Sequence, residues 1–522
     1  MNRLRRPAVF LSVLLAAGWG ANGARAQDAD PCRALAGQSL TLEDDVAVAV
    51  GSARSIAASA SLPAHCVVSG YIAPQVGFEV RMPSSDWNGR FLQQGCRGLC
   101  GFVPSDTTND ALARGYAVAT TDMGHKAANS QSGMWALGNP QAKADFGHRA
   151  THVTALAAQE LIGRFYGRKP GTRLFRGCGT GGRQGLVAAQ RYPGDFDGVI
   201  ANGGIVFDFT RLNYLILWSV RANVDAAGRQ ILDAADLRAL HAGALQQCDA
   251  ADGARDGVIA NPQHCAFSPG ALQCAEGNPA AGCLTAEKVE AARKMYAGPP
   301  AANGQSLYPG MAPGSELRWA GAFFGADPRY ARFSDEILKY FLSPSALGPT
   351  LRARDFDLST PPSVFAATEA LVSADNTDFA AFRARGGKIL ALHGWNESAM
   401  PGLYPTQYYD RLTASAGGLP QARDFFRLYM VPGDMHCTSG IPEGRHFDSL
   451  SLMERWVEKG VAMDVVEGTE VQSEPKLPDQ IRFPIDAANI RTVRPFAPYP
   501  DTLVLKPSGD PSKIEDYERR PR

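Results

Sequence analysis

Residues Gly177-Cys178-Gly179-Thr180-Gly181 put glycine at every second position of one short turn, after Leu174-Phe175-Arg176 and ahead of a helical stretch that reaches Tyr192. Small residues on both sides of such a turn let a strand reverse sharply into a helix that packs close against it. A chain with this feature is committed to a strand-turn-helix unit. In the form G-x-S-x-G, the same turn presents a serine nucleophile on a strained backbone position. Here the middle residue is Gly179, so the frame for a nucleophile is present and the nucleophile is absent. A phosphate-cradling loop is the competing reading of a glycine-rich turn, but the chain has no G-x-x-x-x-G-K-[ST].

The surrounding pattern agrees with such a unit. The segments 67–72, 90–94, 116–121 and 174–177 read as strands, and 148–166 carries apolar residues at helical spacing. Alternating strands and helices predict a mostly parallel sheet covered on both faces. From about 206 to 380 the character changes to Pro/Gly breaks, few strand signals and four of the ten cysteines. Alternation then resumes with strands at 388–393 and 426–431 and helices at 404–412 and 449–459. A core that is interrupted by a lid and then completed is an α/β-hydrolase layout. The chain divides into a leader (1–26), a first part of the core (27–205), a lid (206–380) and a second part of the core (381–522).

The leader has Arg3, Arg5 and Arg6, then an apolar run from 8 to 18, then Ala24-Arg25-Ala26 as a cleavage site. This reads as a secretory signal peptide, its apolar run too short to span a bilayer. The mature chain is therefore expected outside the cytoplasm, secreted or periplasmic, and not held in a membrane. Lys plus Arg equals Asp plus Glu, 52 each, which gives no basic bias toward nucleic acid or an anionic membrane. All ten cysteines follow the leader, and an even number in an exported chain favours disulfides. Spacing alone leaves the pairing open. Zinc is disfavoured because no cysteine pair has a matching second pair or histidine partner.

Four further segments could carry chemistry. In Met430-Val431-Pro432-Gly433-Asp434-Met435-His436-Cys437, a histidine follows a late strand, where a hydrolase base belongs, and of nine histidines His436 alone has that placement. In Leu392-His393-Gly394-Trp395-Asn396-Glu397-Ser398, Glu397 follows the preceding strand and could orient the base. In Gln93-Gln94-Gly95-Cys96-Arg97-Gly98-Leu99-Cys100-Gly101, the N–H groups of Gly95 and Cys96, with that of Thr180, could form an oxyanion hole. Cys96 and Cys100 are close enough in sequence to bridge and stiffen this loop. Finally, Asp249, Asp252 and Asp256 fall within eight residues between Cys248 and Cys265, a density of carboxylates that a calcium ion would relieve, although the spacing is not that of an EF-hand.

Taken together these residues resemble the tannase and feruloyl esterase family, over nearly the whole mature chain. The likeness extends to Thr121-Asp122-Met123-Gly124-His125, Trp135-Ala136-Leu137-Gly138, Gly182-Arg183-Gln184-Gly185, Ala189-Gln190-Arg191-Tyr192-Pro193, Asp195-Phe196-Asp197-Gly198 and Arg494-Pro495-Phe496-Ala497-Pro498-Tyr499-Pro500. The resemblance implies a secreted hydrolase of aromatic-acid esters, with Glu397 as acid, His436 as base and a lid that forms the aromatic pocket. It implies the disulfides Cys178–Cys437, Cys248–Cys265, Cys274–Cys283, Cys32–Cys66 and Cys96–Cys100. It also implies a structural calcium ion on the side chains of Asp249, Asp252 and Asp256 and the carbonyls of Ala254 and Val258.

The chain departs from the family at defined places. The serine is Gly179, the aspartate is Glu397, the segment A-G-A-P-A is Ala201-Asn202-Gly203-Gly204-Ile205, and a C-terminal disulfide is lost with Ala497. Glycine has nothing to acylate, so covalent catalysis at position 179 is impossible. Four readings follow: an esterase altered at 179; a His436–Glu397 dyad that activates water; Thr180 as substitute nucleophile; or a homologue without hydrolytic activity, either a ligand-binding protein or a lyase or cyclase using the dyad. Hydrolysis by descent is the leading expectation.

Overall fold

The structure is a computed structural model that describes residues 30–203, 205–276, 282–325, 328–342, 350–438, 445–473 and 483–521. The expected leader at 1–26 lies outside the described residues.

Ten strands form one sheet: β1 (Ser39–Thr41), β2 (Ala47–Ile56), β3 (His65–Ile72), β4 (Val76–Pro83), β5 (Arg90–Gln94), β6 (Ala117–Thr121), β7 (Thr172–Cys178), β8 (Gly198–Asn202), β9 (Lys388–Gly394) and β10 (Phe426–Val431). Their order is β1-β2-β3-β4-β6-β5-β7-β8-β9-β10. The pairings from β6 through β10 are parallel. Those from β1 through β4 to β6 are antiparallel, so the sheet is mixed and the parallel character belongs to its C-terminal half. The parallel strands are buried on both faces, which is why β9 carries the apolar run Ile389 to Leu392 and β10 the run Leu428 to Val431.

Side chains of these strands divide between two apolar clusters. Phe175, Val199, Ala201, Ile389 and Ala391 pack with residues of helices Ala150–Tyr166, Thr180–Arg191 and Leu403–Ala416. Leu174, Ile200, Leu390 and Leu392 pack on the other side with residues of helices Asn109–Ala113 and Ser449–Lys459. The alternation follows from the two-residue period of a strand and puts helices on both faces of the sheet.

The sheet is left at Asn202 and re-entered at Lys388. Between them lie helices Phe209–Ala222, Ala234–Cys248, Ala286–Ala297 and Arg329–Glu336 among others. Asp233 caps the second of these, its carboxylate accepting from Ala235 and Asp236 N–H and its own N–H answered by Asp236. Phe209, Leu212, Ile216, Trp319 and Phe341 of this insertion belong to the same apolar cluster as the sheet residues Phe175 and Val199. After β10 the chain adds two small antiparallel pairs, β11 (Val466–Val471) with β12 (Ile490–Phe496) and β13 (Thr502–Leu505) with β14 (Tyr517–Arg520). Disulfides join Cys32 to Cys66, Cys96 to Cys100, Cys178 to Cys437, Cys248 to Cys265 and Cys274 to Cys283.

Candidate active site

β7 ends at Cys178, and the helix Thr180–Arg191 begins two residues later, with Gly179 between them at φ 58° and ψ −114°. That conformation is open to glycine and strained for any other residue, and it is the turn at which this fold presents a nucleophile. The Gly179 N–H donates to the Gly203 carbonyl at 3.0 Å. Gly177 and Gly181 are required by contact instead. A Cβ at 177 would lie 2.4 Å from the Gly181 carbonyl carbon, and one at 181 would lie 2.9 Å from the Cys96 carbonyl oxygen. The helix start thus sits directly on the strand and on the loop that follows β5.

His436 follows β10, and Glu397 follows β9. His436 Nδ1 and Glu397 Oε2 are 2.8 Å apart, and Glu397 Oε1 accepts the Ala399 N–H at 2.8 Å. Glu397 is buried, which by itself would raise its pKa. The charge and hydrogen bond of His436, with His393 and the Ala399 N–H, outweigh that burial and hold the carboxyl below its usual value. The carboxylate therefore stays charged beside the imidazole. His393 lies on β9 behind this pair. It is fully buried, and burial pushes its pKa down to about 4, with Glu397 and the Met400 carbonyl acting in the opposite sense. As a neutral ring it donates through Nε2 to the Met400 carbonyl at 2.8 Å and accepts the Ile205 N–H at Nδ1 at 3.4 Å. The Cys178–Cys437 bridge joins the residue before Gly179 to the residue after His436.

Gly179, Thr180 and His436 line one cavity of about 310 Å³. Its walls are mainly apolar, from Val206, Phe209, Leu212, Ile216, Phe333, Ile337 and Met400, with Asn213, Tyr330, Arg329 and Arg97 as polar groups. Most of these residues come from the insertion between β8 and β9. They were not legible as site residues, because a wall residue carries no motif and the run 209–216 reads only as an apolar helix.

The oxyanion expectation is corrected in part. The Gly95 N–H donates to the Arg176 carbonyl at 2.8 Å, continuing the β5–β7 ladder, and the Cys96 N–H donates to Gln184 Oε1 at 3.2 Å. Neither donor is available to a ligand. Arg97 and Gly98 of the same loop line the cavity instead. Thr180 is the first residue of its helix, so its N–H belongs to the first-turn donors without a partner inside the helix.

The acidic loop lies elsewhere. Asp249 accepts the N–H groups of Asp256 and Gly257 at 3.3 Å each, and Asp252 accepts the Ala254 N–H at 3.1 Å. Asp252 and Asp256 both bind the guanidinium of Arg494, the former at 2.6 Å. Three carboxylates outnumber one guanidinium, and an all-oxygen donor set suits calcium. Any ion would share Asp252 and Asp256 with Arg494, a partner 242 residues away from Asp252 that no local reading of the loop reveals. Among the described residues the one tight cluster of His, Cys, Asp or Glu ligand atoms is Cys178, His436 and Cys437, whose sulfurs are joined in a disulfide.

The family model described as tannase and feruloyl esterase matches residues 62–520. The chain is 32% identical to the mono(2-hydroxyethyl) terephthalate hydrolase of Piscinibacter sakaiensis, over 89% of this chain and 86% of that protein. It is 30% identical to a probable feruloyl esterase B-2 of Aspergillus flavus, over 77% of this chain and 79% of that one. Among solved structures, feruloyl esterase B from Aspergillus oryzae superposes with a TM-score of 0.79 at 25% identity, covering 91% of this chain and 97% of the other.

Proposed function

The chain belongs to the tannase and feruloyl esterase family of carboxylic ester hydrolases, and from that premise we propose that it hydrolyses esters of aromatic acids with a His436–Glu397 dyad and water in place of an acyl-enzyme. The observation that carries this reading is the 2.8 Å contact of His436 Nδ1 with Glu397 Oε2, beside a serine-less elbow and at one cavity with it. With the Nδ1 proton directed to Glu397, Nε2 is the basic nitrogen of the neutral ring. It takes a proton from water in the space above Gly179, and the water oxygen adds to the ester carbonyl carbon. The negative charge on the former carbonyl oxygen falls to the Thr180 N–H at the helix start, where the helix dipole also favours an anion. Collapse of the tetrahedral intermediate breaks the bond to the alcohol oxygen, which takes the proton back from Nε2, leaving acid and alcohol. Base catalysis of this kind contributes about 10²–10⁴-fold. Thr180 lines the same cavity, and its part in this reading is the N–H at the helix start.

The apolar, aromatic-bearing walls support an aromatic acyl group. Calcium enters this reading as a structural ion held by Asp249, Asp252, Asp256 and the carbonyls of Ala254 and Val258, where it would offset the carboxylate charge that Arg494 leaves. The protein is an exported one: five disulfides support an oxidising compartment, and no described helix is long and apolar enough to cross a membrane.

The test is turnover of hydroxycinnamate, gallate and terephthalate monoesters by the native protein and by His436→Ala, with detection of both acid and alcohol. Turnover by the native protein that His436→Ala abolishes is the expected result. Turnover that survives the substitution would overturn the dyad.

A further inference from the structure

Asn396, the residue before Glu397, joins three separate parts of the chain. Its backbone N–H donates to the Asp434 carbonyl at 3.1 Å. Its side-chain Nδ2 donates to the Gly314 carbonyl at 2.6 Å, and its Oδ1 accepts the Gly433 N–H at 3.3 Å. Gly314 is itself firmly held. Its N–H donates at 2.8 Å to Glu316, a fully buried carboxylate that also accepts the Tyr296 hydroxyl at 2.7 Å and His241 Nδ1 at 2.9 Å. One carboxamide therefore ties a fixed point of the insertion to the loop that carries His436 and, through its own backbone, to Glu397.

We propose that Asn396 is a positioning residue that couples the seating of the insertion to the alignment of Glu397 with His436; the kinetic half of this proposal rests on the hydrolytic reading above. Both ends of the amide are used, with donor and acceptor directed at complementary main-chain groups. No other uncharged side chain of similar size offers both at that reach. Because the partners are backbone atoms, the contact constrains where the two loops sit and not what binds between them. Its loss is expected to act on the chemical step more than on substrate affinity.

The experiment compares the native protein with Asn396→Ala and Asn396→Asp, which keeps the acceptor for Gly433 and loses the donor to Gly314. Steady-state kinetics are combined with amide hydrogen exchange. For Asn396→Ala, kcat is expected to fall on the order of tenfold with KM within about twofold. Amide protection should fall together at Gly433 to His436 and around Gly314. For Asn396→Asp, the loss of protection should be concentrated around Gly314. Unchanged kcat, a change confined to KM, or protection that is unaltered or lost at a single segment in Asn396→Ala would each overturn the proposal. Should the native protein turn over no ester, the hydrolytic reading fails on its own, and amide exchange still decides whether Asn396 couples the segments.

Discussion

A residue other than glycine held at φ 58°, ψ −114° stores about 1–3 kcal/mol of backbone strain, and Gly179 relieves it. The elbow has kept its shape without the side chain that the shape serves. Gly179→Ser is therefore expected to act in two opposite directions. It supplies a hydroxyl on the turn next to the His436–Glu397 pair, and ester turnover should rise by orders of magnitude. It also restores the strain, and the melting temperature should fall slightly. Kinetics and calorimetry on one preparation check both, and a stable variant with no gain in turnover would mean that the site has been turned to another use. Gly179, His436 and Glu397 were legible because each stands in a short motif after a strand. The status of Gly95 and Cys96 was not legible, because whether an N–H is already engaged depends on Arg176 and Gln184 from distant parts of the chain.

At the scale of elements, the loop from β10 to His436 carries a second buried acid. Asp434 lies two residues before His436 and is fully buried. Burial pushes its pKa up to about 7, against the Arg445 N–H, which donates to Oδ1 at 3.2 Å, and the Arg445 charge. A carboxyl whose folded pKa exceeds its unfolded value contributes stability at low pH and loses it as pH rises through the folded value. For Asp434 the loss begins near the ordinary aspartate range and is complete a little above pH 7. Asp434→Asn keeps the acceptor and cannot ionise, so the gap in melting temperature between variant and native protein should widen in the variant's favour from pH 4 to pH 8. A constant gap across that range would mean that Asp434 does not titrate in the fold. The elements themselves were unevenly legible. β5 and β10 match the runs at 90–94 and 426–431 in full, since each has most of its residues buried and carries adjacent apolar residues, Phe91-Leu92 and Leu428 to Val431. β2 escaped notice: it is exposed at most positions and includes Gly51, so its pattern resembles a loop.

At the scale of the whole molecule, long-range ties hold together what the chain separates. Cys178 and Cys437 are 259 residues apart in sequence, yet their bridge fastens the elbow to the histidine loop. The insertion that the sequence sets off by its Pro/Gly breaks and cysteines shares an apolar cluster with the sheet, because Phe209, Leu212 and Ile216 turn inward onto it. The acidic loop is tied in the same way. Cys248 and Cys265 bracket it, and Arg494 at the end of β12 binds Asp252 and Asp256, so the loop fastens the C-terminal strands to the insertion. A calcium ion on Asp249, Asp252 and Asp256 would add to that fastening in the folded state and have no formed site in the unfolded chain, stabilising the protein by mass action. Chelation with EGTA is therefore expected to lower the melting temperature, and calcium, not magnesium, should restore it, because the donor set is flexible and all oxygen. Arg494→Gln removes the competing guanidinium from two carboxylates, so the calcium-dependent part of the stability should grow in that variant. Indifference of the native protein and of Arg494→Gln to chelator would mean that Arg494 alone neutralises the loop.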